Sequence, residues 1–119
     1  MNFLLVFIGG GIGSVMRFCI GLLIQKTKIN LPLATLISNV IACIIFAVTV
    51  WLFTNKPVFN LYLKPLLIIG FCGGLSTFSS FGYETFLLFK NGFQLYAVIN
   101  ILLSTLLCIL IYLPLNKYV

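Results

Sequence analysis

From Gly70 to Glu84 the chain reads Gly-Phe-Cys-Gly-Gly-Leu-Ser-Thr-Phe-Ser-Ser-Phe-Gly-Tyr-Glu. Two adjacent glycines precede four hydroxyl residues, Ser76, Thr77, Ser79 and Ser80. Glycine costs about 1 kcal/mol relative to alanine inside a helix. Hydroxyl side chains can re-satisfy backbone groups where a membrane helix is interrupted. The pattern therefore predicts a break near Gly73–Ser79. Carbonyls freed at a break suit a hard cation. N–H groups at the start of the following half-helix suit an anion. Phe78 and Phe81 lie three residues apart beyond the break. They either make ordinary lipid or core contacts, or turn their electropositive ring edges toward an anion. Glu84 is the only acid in the chain. A lone intramembrane carboxylate is a functional candidate, as an arginine partner or as a proton or ion relay. It could instead sit at the span end, close to Lys90.

Other polar residues punctuate apolar runs. Ser14 and Arg17 follow Gly9, Gly10, Gly11 and Gly13. The spacing Gly9-x-x-x-Gly13 matches close helix packing. Arg17 needs an acceptor, a headgroup or water at its depth. It is either a snorkelling anchor or a residue that draws anions into a vestibule. Thr35, Ser38 and Asn39 follow, with Thr35 and Asn39 on one helical face. Asn39 can bond a neighbouring helix or aim a donor at an anion. Tyr96, Asn100 and Ser104 are spaced by four and form a polar stripe. One such residue is common packing glue; three in register suggest a lined track.

These residues must be held by membrane helices. The 119-residue chain is 62% hydrophobic and 7% charged, with seven Lys/Arg against one acid and no His. Soluble domains carry about 25% charged residues, and so small a domain exposes much of its surface. The composition excludes a soluble globular protein, a disordered chain and a nucleic-acid binder. About 20 apolar residues cross a bilayer core. Four runs qualify: Phe3 to Ile24, Leu31 to Phe53, Leu63 to Phe89, and Phe93 to Leu115. The expectation is an all-α membrane protein, a single four-helix transmembrane domain over residues 1–119, with the third helix broken mid-membrane. Thr54 to Tyr62 reads as the only loop of any size. A cleaved signal peptide is not expected, because residues 1–8 lack a positive side chain and the run is span-length.

Absences narrow the chemistry. With no His and no Asp, histidine metal sites, Ser-His-Asp hydrolysis and paired-Asp catalysis are excluded. No nucleophile–base pair suggests an enzyme. Cys19, Cys43, Cys72 and Cys108 each lie inside an apolar run with no C-x-x-C pair, and all four read as structural. Lysines normally mark the cytoplasmic side. Here Lys56, Lys64 and Lys117 share one side, while Lys26, Lys28 and Lys90 share the other. Either the orientation is fixed by something else, or the chain inserts both ways and pairs antiparallel.

Three segments resemble the Fluc (CrcB) family of small fluoride channels. They are Gly9-Gly10-Gly11-Ile12-Gly13-Ser14-Val15-Met16-Arg17-Phe18, Pro32-Leu33-Ala34-Thr35-Leu36-Ile37-Ser38-Asn39, and Gly70-Phe71-Cys72-Gly73-Gly74-Leu75-Ser76-Thr77-Phe78-Ser79-Ser80-Phe81. The resemblance covers nearly the whole chain, and the third segment is its most specific part. It implies passive export of cytoplasmic fluoride across the bacterial inner membrane, by an antiparallel, dual-topology homodimer with two pores. It implies a central structural sodium ion on the backbone carbonyls of Gly73 and Ser76. It places Phe78, Phe81 and Asn39 on the fluoride path, with Thr35, Ser79, Ser80, Glu84, Tyr96, Ser104 and Arg17 along it. Ser76 and Ser80 stand where the family usually has threonine. A rival reading is a small proton-coupled multidrug exporter. It would need an acid in the first helix, where this chain has only Arg17. A non-transporting scaffold would need neither the break nor the polar stripe.

Overall fold

The computed structural model describes residues 1–25 and 31–118. The turn lysines Lys26 and Lys28, which enter the charge comparison, lie outside the described residues. Helix α1 runs Asn2–Ile24 and α2 runs Leu33–Phe53. Helix α3 is Phe59–Cys72, wound in the wider π form around Pro65 and continued by an α-helical turn, Gly73–Leu75. Helix α4 is Phe78–Lys90 and α5 is Gln94–Tyr112, ending in a short 3-10 stretch, Leu113–Lys117. Four of these units are long and apolar enough to cross a membrane: Asn2–Ile24, Leu33–Phe53, Phe59–Lys90 and Gln94–Lys117. The longest molecular dimension is 50 Å, beyond the roughly 30 Å of a hydrocarbon core.

The surface and interior are consistent with lipid as solvent. Phe3, Phe7, Phe18 and Leu23 are largely exposed. Thr35, Ser38, Thr49, Thr85, Asn100 and Ser104 are buried. Hydrocarbon offers polar groups no partners, so they turn inward; Thr35, Thr85, Asn100 and Ser104 bond other side chains, Thr49 bonds the Ile45 carbonyl, and the Ser38 hydroxyl is buried without a partner. Helix ends follow ordinary local rules. Gly92, between α4 and α5, takes φ 82°, a conformation glycine adopts without steric cost.

The loop expected from Thr54 to Tyr62 is shorter than its polar residues suggest. The chain turns at Thr54–Lys56, with Lys56 N–H donating to Phe53 O at 2.9 Å, and is helical again from Phe59. Asn60 and Tyr62 are exposed positions on that helix rather than loop residues.

Helices α1 and α3 pack on glycine. A Cβ on Gly9 would strike the Leu66 carbonyl oxygen, and one on Gly13 the Phe71 carbonyl oxygen. From the other side, a Cβ on Gly70 would come within 2.8 Å of the Val6 carbonyl oxygen. One on Gly74 would overlap the Gly10 carbonyl oxygen. Gly70-x-x-x-Gly74 is thus the counterpart of Gly9-x-x-x-Gly13. The double glycine expected to break the third helix stays helical, with Gly73 at φ −64°, ψ −36°. The break falls just after it, at Ser76 (φ −76°, ψ 156°) and Thr77 (φ −152°, ψ 122°). Gly74 is there for close approach, and the hydroxyl residues carry the interruption.

This contact gives a paired test. Gly13→Ala should lower stability by about 1–3 kcal/mol through overpacking against backbone. Gly21→Ala, where nothing lies within 4 Å of the added carbon, should be neutral. Unfolding titrations in detergent read both; equal effects would discount the backbone contact.

Candidate functional site

The interruption sets up the site. In a continuous helix the Thr77 N–H would bond the Gly73 carbonyl four residues back. Instead it donates to Asn39 Oδ1 at 2.8 Å, and Asn39 Nδ2 donates to Thr77 O at 3.3 Å. One side chain from α2 thus replaces the lost helical partner of the Thr77 N–H and adds a second donor to the Thr77 carbonyl, which as the N-cap already begins the α4 ladder. Asn39 retains a second amide N–H. The Gly74 carbonyl, which has also lost its helical donor, accepts from Arg17 Nε at 3.1 Å and Ser14 Oγ at 3.5 Å. A guanidinium at a helix C-terminus is favourable by charge as well as bonding. Ser76 closes the end of α3 by bonding back to Cys72 O, through its hydroxyl at 2.7 Å and its N–H at 2.9 Å.

The far side of the break is a helix start. Thr77 caps α4, its Oγ1 accepting from Ser80 N–H at 3.2 Å. The same oxygen lies 3.1 Å from Ser80 Oγ and 3.3 Å from Ser79 Oγ. Three hydroxyls and the unpaired first-turn N–H groups therefore share one end of α4. Phe78 and Phe81 stand beside them with ring centroids 5.7 Å apart and planes at 39°. Phe78 is 83% exposed on the single chain.

A cavity of about 340 Å³ opens here, lined by Asn39, Ser76, Thr77, Phe78, Phe81 and Ser104 together with Cys43, Thr105, Cys108 and Ile109. Its lining is mainly apolar with a few converging polar groups, the usual make-up of a selective site. Behind Phe81, Ser104 Oγ donates to Asn100 Oδ1 at 3.5 Å and Asn100 Nδ2 to Thr85 Oγ1 at 2.9 Å. Thr85 Oγ1 in turn donates to Phe81 O at 2.7 Å. Thr85 escaped the sequence reading because a lone threonine among apolar residues gives no periodic signal. Its i+4 offset from Phe81 was the available clue.

One turn further along both α2 and α4, Thr35 Oγ1 donates to Glu84 Oε1 at 2.8 Å. Glu84 Oε2 is buried with no hydrogen-bond partner. Glu84 lines a second cavity, of about 370 Å³, with Leu31, Pro32, Leu87, Leu88, Asn91 and Phe93. Thr35–Glu84 and Asn39–Thr77 are thus successive contacts between α2 and the second half of the third span. Arg17 is not the partner of Glu84; it serves the break from α1. Tyr96 is outside the first cavity and stacks edge-on with Phe93 at 6.0 Å. The polar stripe therefore divides, with Asn100 and Ser104 turned inward and Tyr96 37% exposed.

Comparison with known proteins agrees over most of the chain. The family described as "CrcB-like protein, Camphor Resistance (CrcB)" matches residues 4–114. A "Fluoride-specific ion channel FluC" of Azobacteroides pseudotrichonymphae genomovar. CFP2 is 42% identical, with 82% of each chain covered. One of Coxiella burnetii (strain CbuK_Q154) is 40% identical over 92% of this chain and 90% of its own. "Fluoride-specific ion channel FluC 1" of Yersinia pseudotuberculosis serotype I (strain IP32953) is 40% identical over 85% and 80%.

Asn39→Ala should cost about 3–5 kcal/mol, two net hydrogen bonds at about 1 kcal/mol each plus about 1–3 kcal/mol for an orphaned N–H. Hydrogen exchange at the Thr77 amide should accelerate in step. Unchanged exchange at that amide would show that Asn39 does not hold the break.

Proposed function

The chain belongs to the CrcB family, and from that membership we propose that it is a fluoride-selective channel exporting cytoplasmic fluoride passively. The four spans and the channel family make it a multi-pass membrane protein, and its proposed seat is the bacterial inner membrane. The observation that carries the reading is the third span's interruption at Ser76–Thr77, where a capped helix start, Phe78 and Phe81 border one cavity.

Fluoride is small and strongly hydrated, so a path for it must replace water with donors. The α4 first-turn N–H groups, the Thr77, Ser79, Ser80 and Ser104 hydroxyls, and the second Asn39 N–H can supply them. Phe78 and Phe81 add positive ring edges inside an otherwise apolar wall. Such contacts must be strong enough to admit the ion and weak enough to release it. Thr35 and Glu84 make the next contact between α2 and α4, Arg17 steadies the break, and Tyr96 stands at the outer end of the α5 stripe.

The functional unit we propose is an antiparallel homodimer with two pores and a sodium ion at its centre. The nearly even lysine distribution supports dual insertion. The Gly73 and Ser76 carbonyls suit sodium in kind, being hard oxygen donors. The Gly73 carbonyl has lost its usual helical partner, because Thr77 N–H goes to Asn39. A sodium ion held by these residues in two copies would supply the positive charge that joins their breaks. The multidrug-exporter reading is not favoured, because α1 contains no acid.

Liposomes containing the purified protein should release fluoride rapidly and retain chloride, read with ion-selective electrodes. No fluoride release from folded protein would reject the channel. Phe81→Ile should keep the fold but slow fluoride release about tenfold or more, roughly 1.4 kcal/mol in barrier. Undiminished release from that variant would remove Phe81 from the path. Exchanging sodium for a larger cation should reduce flux or dimer stability.

A further inference from the structure

The cavity beside Phe81 contains two features that fluoride passage does not use: the thiols of Cys43 on α2 and Cys108 on α5. Both are free and part-buried. Cys43 and Cys108 belong to the lining of one and the same cavity. Cys43 also borders an adjoining cavity of about 270 Å³ with Cys72, Ser76 and Tyr112. Two thiols from different helices thus face one space within a mainly apolar wall.

We infer that Cys43 and Cys108 form a two-coordinate site for a soft d10 metal ion of the mercury(II) type, seated across the α2–α5 seam in the cavity that holds Phe81. Thiolate sulfur selects soft ions over the hard cations that prefer oxygen. Among the described residues no group of three His, Cys, Asp or Glu side chains can hold a metal. A site of two sulfurs therefore suits a linear ion and disfavours zinc, which takes four ligands. The step balances without an oxidant. Each thiol loses its proton to water, two S–Hg bonds replace the two bonds by which the metal held chloride, the two chlorides leave to solution, and the divalent charge is cancelled by two thiolates. A neutral product matters, because unpaired charge is costly in a low-dielectric wall.

Cys43 and Cys108 line the same cavity as Asn39, Phe81 and Ser104. A bound metal would occupy space on the proposed ion path, so occupancy should block flux. That consequence rests on the fluoride-channel reading; the metal site does not.

The test titrates mercury(II) chloride into the purified full-length protein and follows Hg–thiolate ultraviolet absorption and bound metal per chain. The expected result is one tight equivalent per chain, retained in Cys19→Ser and lost in Cys43→Ser/Cys108→Ser. In the unaltered protein, one equivalent of metal should protect Cys43 and Cys108 together from maleimide, read by peptide mass spectrometry, while Cys19 is labelled. Equal binding by the double variant, or labelling of both cysteines in the metal-loaded protein, overturns the site. In liposomes, metal should reduce fluoride efflux of the unaltered protein to that of empty vesicles. The double variant, scored against its own metal-free rate, should resist. Tight binding with undiminished efflux overturns the block. Absent efflux before any metal is added would reject the channel reading and leave the binding result standing.

Discussion

The structure depends on one exchange of hydrogen bonds. Asn39 takes the Thr77 N–H that α3 would otherwise use and returns a donor to the Thr77 carbonyl. A helix interrupted in hydrocarbon leaves polar backbone groups that cost several kcal/mol each if unpaired. A single amide side chain offers a donor and an acceptor in a fixed geometry, and so can take the orphaned N–H of one residue while also holding its carbonyl. The remaining ends are handled nearby. Arg17 and Ser14 take the Gly74 carbonyl, Ser76 turns back on Cys72, and Thr77 caps α4. The break is thereby a built feature with bonded edges.

That arrangement requires α1 to lie very close to α3. Arg17 and Ser14 reach the Gly74 carbonyl because Gly10 and Gly74 have no side chains between the two backbones. Gly9, Gly13 and Gly70 extend the same contact along the pair. In a bilayer, helices gain little from hiding apolar surface from one another, so close packing and hydrogen bonds must hold them. The glycines supply the first and make the second geometrically possible. The chain's glycine-rich first span and its third-span double glycine are two halves of one joint.

Much of this was legible in the sequence, and the limits have physical causes. Four spans followed from apolar run length, and the interruption followed from the double glycine and the hydroxyl residues after it in the third. Its position was blurred because Gly73-Gly74 reads equally as a helix breaker or as a packing contact. Only the partner backbone at Gly10 distinguishes them. Arg17 illustrates the same limit: its type announced a buried need for an acceptor, but the acceptor is a carbonyl 57 positions away. Thr85 was missed because its offset from Phe81 shows only the bond within α4, while its bond to Asn100 exists only once α4 and α5 meet. Helix extent at Asn60 and Tyr62 was lost because exposed polar residues resemble a loop in sequence.

The single chain also leaves a physical problem at its centre. Phe78 is largely exposed, and beside it Thr77, Ser79 and Ser80 place three hydroxyls at the start of α4. A ring alone would be content in lipid, but hydroxyls and first-turn N–H groups at that depth would not. Those hydroxyls bond one another, which satisfies each only in part, since a hydroxyl can donate once and accept twice. The remaining capacity must be met by water, an ion or another protein surface. Lipid can meet none of it. This is why the proposed path and the proposed second copy belong together. The face that carries the donors is stable in a membrane only when something polar passes along it or closes over it. A pore shared with a partner does both.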